Sequence, residues 1–170
     1  MVVVKLQGGL GNQMFQYAFG RKLELKYNIP LYLDLSFLNR RDLGDNFTYR
    51  NYDLDIFDLD IKTLSVYPEL FHYYITEPSL LYNGEISNIF NNISKQKSIY
   101  IDGYWQCDKY FYDIKDTIKS DFSFINTITS GKENELLSEI HWDFARQSAK
   151  SYLNFSHENK NLAILDSTNN

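Results

Sequence analysis

The sequence predicts an α/β fold, and two strand–loop–helix patterns roughly ninety residues apart predict it. The first is a β-branched run, Val2 to Leu6, that stops at a glycine cluster and gives way to helical spacing. The second, Lys97 to Gly103, is a regular run that also closes on a glycine and also leads into a helical pattern.

Val2 to Leu6 reads as a buried first strand, because it is apolar on both alternating faces. Gly8-Gly9-Leu10-Gly11 follows as a tight loop, with Asn12 read as the N-cap of the next helix. In that helix Met14, Ala18, Arg21 and Leu25 share one stripe, flanked by Phe15, Phe19 and Leu23. Asn28-Ile29-Pro30 ends it, since the proline ring excludes helical geometry from the residue before it. Leu31 to Leu35 then reads as a second strand, completing a βαβ unit whose crossover is right-handed by general rule. Residues 39–53 are polar and charged and read as a surface excursion. Leu54, Ile56, Leu59 and Ile61 mark an apolar segment that fits helix or strand. Pro68 and Pro78 punctuate an aromatic stretch with Phe71, Tyr73 and Tyr74. After the strand at 97–103 a helix is expected near Asp108, burying Tyr110 or Phe111, Ile114, Ile118 and Phe122. The tail beyond Ser130 reads as helical and polar, with Ser156 capping Glu158 to Leu165.

A chain of 170 residues fits one domain plus an appendage. A net charge of −5 without a basic run argues against a nucleic-acid partner, which requires clustered cations. Cys107 is the single cysteine, so no intrachain disulfide forms and a reducing compartment is expected. His72, His141 and His157 are too far apart for zinc-ligand spacing, and no metal is expected. The N-terminus lacks the pattern of a secretory signal, and no apolar run nears the ~20 residues of a membrane span. Cytoplasmic location is the expectation, and loose association with the inner membrane face is compatible with it. The sequons at Asn46, Asn92 and Asn154 carry no weight without a secretory route.

A glycine loop between a first strand and a helix is the usual place for an anion, because free amides converge there. Two common versions are excluded. Gly9 and Gly11 are followed by Gln13 and Met14, so the dinucleotide fingerprint fails, and no lysine between Lys5 and Lys22 completes a P-loop. The longer string, Gln7-Gly8-Gly9-Leu10-Gly11-Asn12-Gln13-Met14-Phe15-Gln16-Tyr17-Ala18-Phe19-Gly20, resembles the opening motif of glycosyltransferase family 11, the bacterial α-1,2-fucosyltransferases. Asp102-Gly103-Tyr104-Trp105-Gln106-Cys107-Asp108-Lys109-Tyr110-Phe111 is similar to that family's Gly-Tyr-aromatic-Gln block, in the family's order.

The resemblance implies a Rossmann-like, acceptor-side N-terminal domain of a GT-B glycosyltransferase over residues 1–125. Residues 126–170 would be a mostly helical tail leading toward a donor domain. It implies transfer of fucose from GDP-β-L-fucose to the 2-hydroxyl of a terminal galactose, inverting and independent of metal or other cofactor. Such chemistry needs a base for the acceptor hydroxyl and fixed donors for the leaving diphosphate. Donor-binding roles fall to Gly8, Gly9, Gly11, Asn12 and Gln13. Acceptor-binding roles fall to Gln16, Tyr104, Trp105, Gln106 and Asp108, with Trp105 reading equally well as plain packing. Phe15 and Tyr17 read as core. Asp34, Asp102 and Asp108 are the candidate bases, Asp34 favoured by its place at a strand end.

The family's His-x-Arg-x-Gly-Asp-Tyr motif, whose arginine the resemblance assigns to the donor diphosphate, is absent. The stretch Glu158 to Asn170 is similar to the helix that leads into it. The expectation is therefore a chain that stops before the donor domain and transfers little or nothing alone. The alternative is a non-catalytic carbohydrate-binding module or a broken-gene product.

Overall fold

The computed structural model describes residues 1–65, 68–71, 73–77 and 98–123. These belong to a compact unit, Met1–Ser130; a second unit, Gly131–Asn170, lies outside the described residues. The expectations for His72, Pro78, Asn92 and the tail, including Ser156 and Asn154, also lie outside them.

Five strands, β1 Val2–Lys5, β2 Leu31–Asp34, β3 Lys62–Leu64, β4 Tyr74–Thr76 and β5 Ile99–Asp102, form one sheet. Their order is β3-β2-β1-β5-β4 and every pairing is parallel. β1 is central: Val2 stands opposite Leu31 on one side and Ile99 on the other. Val2, Val3 and Val4 are fully buried, as a parallel sheet covered on both faces requires. The chain runs outward from β1 through β2 to β3, while β5 takes the other flank. The direction of winding thus changes between β1 and β5, where open α/β sheets leave a crevice beyond the strand ends.

Helix α1 spans Leu10–Tyr27 and α2 spans Lys115–Asp121. α1 begins two residues before the expected cap: Gly9 is its N-cap, with no side-chain bond, so Asn12 lies inside the first turn. It ends at Asn28, whose left-handed backbone (φ 53°) lets its N–H reach the Glu24 carbonyl, ahead of Pro30. Residues Gln13 to Gly20 are buried all round, whereas Leu25 at the far end of the expected stripe is 44% exposed. Gly20 explains the close approach: a Cβ there would meet Val4 and Leu31 side chains at 2.7 and 2.8 Å.

The other side of α1 is covered by the segment after β5. Phe19 stacks on Trp105 at 4.0 Å between ring centroids and meets the Tyr110 edge at 5.4 Å. Phe15 lies 6.0 Å from Phe111. The Tyr17 hydroxyl and the Arg21 guanidinium both donate to Asp121, and Lys22 pairs with Asp113. The expected helix from Asp108 is instead two 3-10 turns, Asp108–Tyr110 and Tyr112–Ile114, followed by α2. Tyr110, Phe111 and Ile118 are buried there as expected. The segment from Leu54 forms a single 3-10 turn, Leu54–Ile56, in which Leu54 is the buried residue. No helix among the described residues is long and apolar enough to cross a membrane.

Candidate functional site

The loop Gln7 to Gly9 leaves the end of β1 and turns at Gly8 with φ +78°. A Cβ at Gly8 would overlap the Asn12 side chain, so the glycine is required by both its backbone angle and its neighbour. Two glutamines hold this loop from inside. Gln16 accepts from the Gln7 amide at 3.0 Å and donates to the Gln7 carbonyl at 3.2 Å. Gln13 donates to the carbonyls of Gly8 (3.0 Å) and Asn51 (2.8 Å) and accepts from the Asp53 amide at 3.0 Å. Both are fully buried. The expectation that they reach the cleft is corrected: their amides are spent on backbone groups, and they brace the loop.

The loop after β5 is held from the neighbouring strand. A single oxygen of Glu77, just past β4, accepts from the amides of Tyr104 (2.8 Å) and Trp105 (2.9 Å). Trp105 takes φ +55°, an outlier for a bulky side chain, and its indole nitrogen is buried without a partner among the described residues. Its ring is fully buried against Phe19, so of its two readings the structure selects packing, not acceptor contact. Tyr104, one residue earlier, points outward and is 43% exposed.

A hydrogen bond joins the two loops, from the Gln106 side-chain amide to Oδ1 of Asn12. Beside this junction opens a cavity of about 280 Å³. Gly8, Gly9 and Asn12 form its floor and Tyr104 stands at one side. Its remaining wall is the 37–50 segment, with Phe37, Phe47, Tyr49 and Arg50. Gly8, Phe37 and Tyr104 follow the carboxyl ends of β1, β2 and β5, the position where α/β sheets place ligands. The α1 N-terminus at this floor has neither a capping side chain nor an acidic residue in its first turn. Its positive dipole end is left without a fixed counter-charge from that turn.

An alpha-1,2-colitosyltransferase of Escherichia coli is 31% identical to this chain over 140 residues, which is 78% of this chain and 48% of that protein. This chain is related to a glycosyltransferase. It spans about half the length of that curated relative. No family model matches the chain, and no solved structure matches it.

The carboxylates divide differently from the expectation. Asp34 is fully buried and accepts from the Ser36 amide and hydroxyl (2.9 Å each) and the Tyr100 hydroxyl (2.6 Å). A group so enclosed anchors the end of β2 and is not open to an acceptor hydroxyl, which corrects its place as the favoured base. Asp102 accepts from Lys5 at 3.0 Å and from the Tyr74 hydroxyl. Asp108 opens the first 3-10 turn, half-buried, next to the Gln106 loop. Burial first, and then the facing carboxylate, pushes the Tyr100 and Tyr74 hydroxyls well above the ordinary tyrosine range. Gly11 lies within the first turn of α1, behind the loop glycines that line the cavity.

Sequence reasoning missed Glu77, Arg50 and the aromatic wall. Only the paired glutamines carried a signal for the wall, because a buried amide must find backbone partners somewhere.

Proposed function

We propose that this chain forms the acceptor-side half of an α-1,2-glycosyltransferase of the family 11 type, and that the cavity at the glycine loop seats a sugar ring. The observation that carries the reading is the Asn12–Gln106 bond, which joins the two resembling sequence blocks beside one cavity. The relative's α-1,2 linkage agrees with the linkage that the sequence resemblance implies. The donor is proposed to be GDP-fucose and the acceptor a glycan ending in galactose. GDP-colitose is the competing donor; colitose and fucose are both 6-deoxy sugars and differ at C3.

In that reaction the galactose 2-hydroxyl gives its proton to a base while its oxygen bonds to the sugar's anomeric carbon. The bond from that carbon to the diphosphate breaks, and GDP departs with the electron pair. Within the chain, the Asn12 side-chain amide and the amides of the uncapped α1 terminus supply donors to oxygen atoms. Phe37, Phe47 and Tyr104 supply apolar faces for ring C–H groups. The test is a transfer assay with GDP-fucose and GDP-colitose on lactose. It should be run on this chain and on the full protein encoded at its locus. Transfer by the full protein, reduced at least tenfold by Asn12→Ala with the fold intact, supports the reading. Wild-type rates in that variant would remove Asn12 from it.

A further inference from the structure

We infer that Arg50 holds an oxyanion attached to the sugar in this cavity, so that the ligand recognised there is an anionic glycosyl group. The inference rests on the sugar-site reading above. Among the described residues that line the cavity, Arg50, itself exposed, is the one charged residue, and none is a carboxylate. That lining runs against the composition of the chain, where 22 acidic residues outnumber 17 basic ones.

The other described arginines show what an ordinary surface arginine does here. Arg21 pairs with Glu24 and Asp121, Arg40 pairs with Asp42, and Arg41 donates to the Leu38 carbonyl. Arg50 forms no salt bridge with any described carboxylate. Its field reaches Asp53, where it only partly offsets the upward push of burial and of Asp55 on that carboxyl. The backbone beside Arg50 is nevertheless held. The backbone of Asn51 and Asp53 is bonded to buried Gln13, tying this wall to the glycine-loop helix. A planar guanidinium in that place matches a phosphoryl or carboxylate group with two parallel hydrogen bonds.

Size narrows the ligand. At about 280 Å³ the cavity lies below the roughly 300–1,000 Å³ of pockets that enclose drug-sized molecules. One ring with its charged substituent fills that space, and the rest of a nucleotide would lie beyond the cavity. The oxyanion has two sources, the phosphoryl group of a glycosyl phosphate donor or the carboxylate of an acidic acceptor sugar.

Calorimetric titration of the 170-residue chain with two matched probe pairs tests this. The pairs are β-L-fucose 1-phosphate against methyl β-L-fucoside, and methyl β-D-galacturonide against methyl β-D-galactoside. In at least one pair the charged probe is expected to bind about tenfold tighter or more. That advantage should vanish in Arg50→Gln and survive largely in Arg50→Lys, with unchanged circular dichroism. Preference in the first pair assigns the anion to the donor; preference in the second assigns it to the acceptor. Neutral probes that bind as well as charged ones, or an advantage kept in Arg50→Gln, would overturn the inference and leave the sugar site standing. Failure of all four probes on the wild-type chain would overturn both.

Discussion

The Gln106 side-chain amide donates to Oδ1 of Asn12 across 94 residues of sequence. With its oxygen occupied, Asn12 turns its NH₂ group toward Gly8, the atom a Cβ at Gly8 would strike first. One bond therefore sets both the spacing of the two loops and the direction of a donor at the cavity floor.

Removing either partner should cost about 1 kcal/mol of stability. In Asn12→Ala/Gln106→Ala the losses should fall short of their sum by ~0.5 kcal/mol or more, because the pair is lost once. Urea unfolding of the four proteins measures the coupling, and strict additivity would contradict the bond.

Gly8 and Gly9 should respond oppositely to alanine. At Gly8 the left-handed backbone and the Asn12 side chain both resist a methyl group, and destabilisation of at least ~1–3 kcal/mol is expected. At Gly9 a Cβ meets nothing within 4 Å, so stability should change by no more than about 0.5 kcal/mol. Because Gly9 lines the cavity, its methyl group should instead weaken sugar binding. Thermal unfolding beside a binding titration separates the two.

Neighbouring aromatic residues should separate the same way. Trp105→Ala opens a hole against Phe19 and Tyr110 and should cost about 3–5 kcal/mol. Tyr104→Ala, at an exposed cavity wall, should leave the unfolding midpoint nearly unchanged and reduce glycoside affinity several-fold. A Tyr104 variant that lost stability and kept affinity would reverse the assignment.

Alkali should unfold the chain earlier than ordinary tyrosines would suggest. Burial, and then Asp121 and Asp34, hold the Tyr17 and Tyr100 hydroxyls well above the ordinary tyrosine value of about 10. Above that pH the unfolded chain releases protons that the folded chain retains. Stability is therefore complete below about pH 10 and falls as pH rises beyond it. Urea midpoints at pH 8, 9, 10 and 11 should be level and then drop, and Tyr100→Phe should make the drop shallower. A flat series to pH 11 would contradict the burial of these hydroxyls.

The βαβ unit was legible because Val2, Val3 and Val4 are apolar without interruption, the mark of a strand covered on both faces. β3 and β4 were not. Lys62-Thr63-Leu64 and Tyr74-Ile75-Thr76 are three-residue edges, and Ile75 is the single buried side chain among those six. Two resembling motifs located the site, yet motif membership did not say which side chains face it. Gln13, Gln16 and Trp105 stand in the motifs as scaffold, while Tyr104 and Asn12 reach the cavity. The 39–53 excursion looked like open surface by polarity alone. Its return over the glycine loop depends on Gln13 reaching Asn51 and Asp53, about forty residues away, a pairing that no local pattern encodes.

The central place of β1 also sets the order in which amides open to solvent. Its backbone bonds to strands on both sides beneath a fully buried surface, so its amides should exchange with deuterium only on near-global unfolding. The 37–50 wall outside the sheet carries few backbone bonds and should exchange through small local openings. A ligand seated between them would therefore announce itself by slowed exchange in the wall, with the strand beneath keeping its own slow clock.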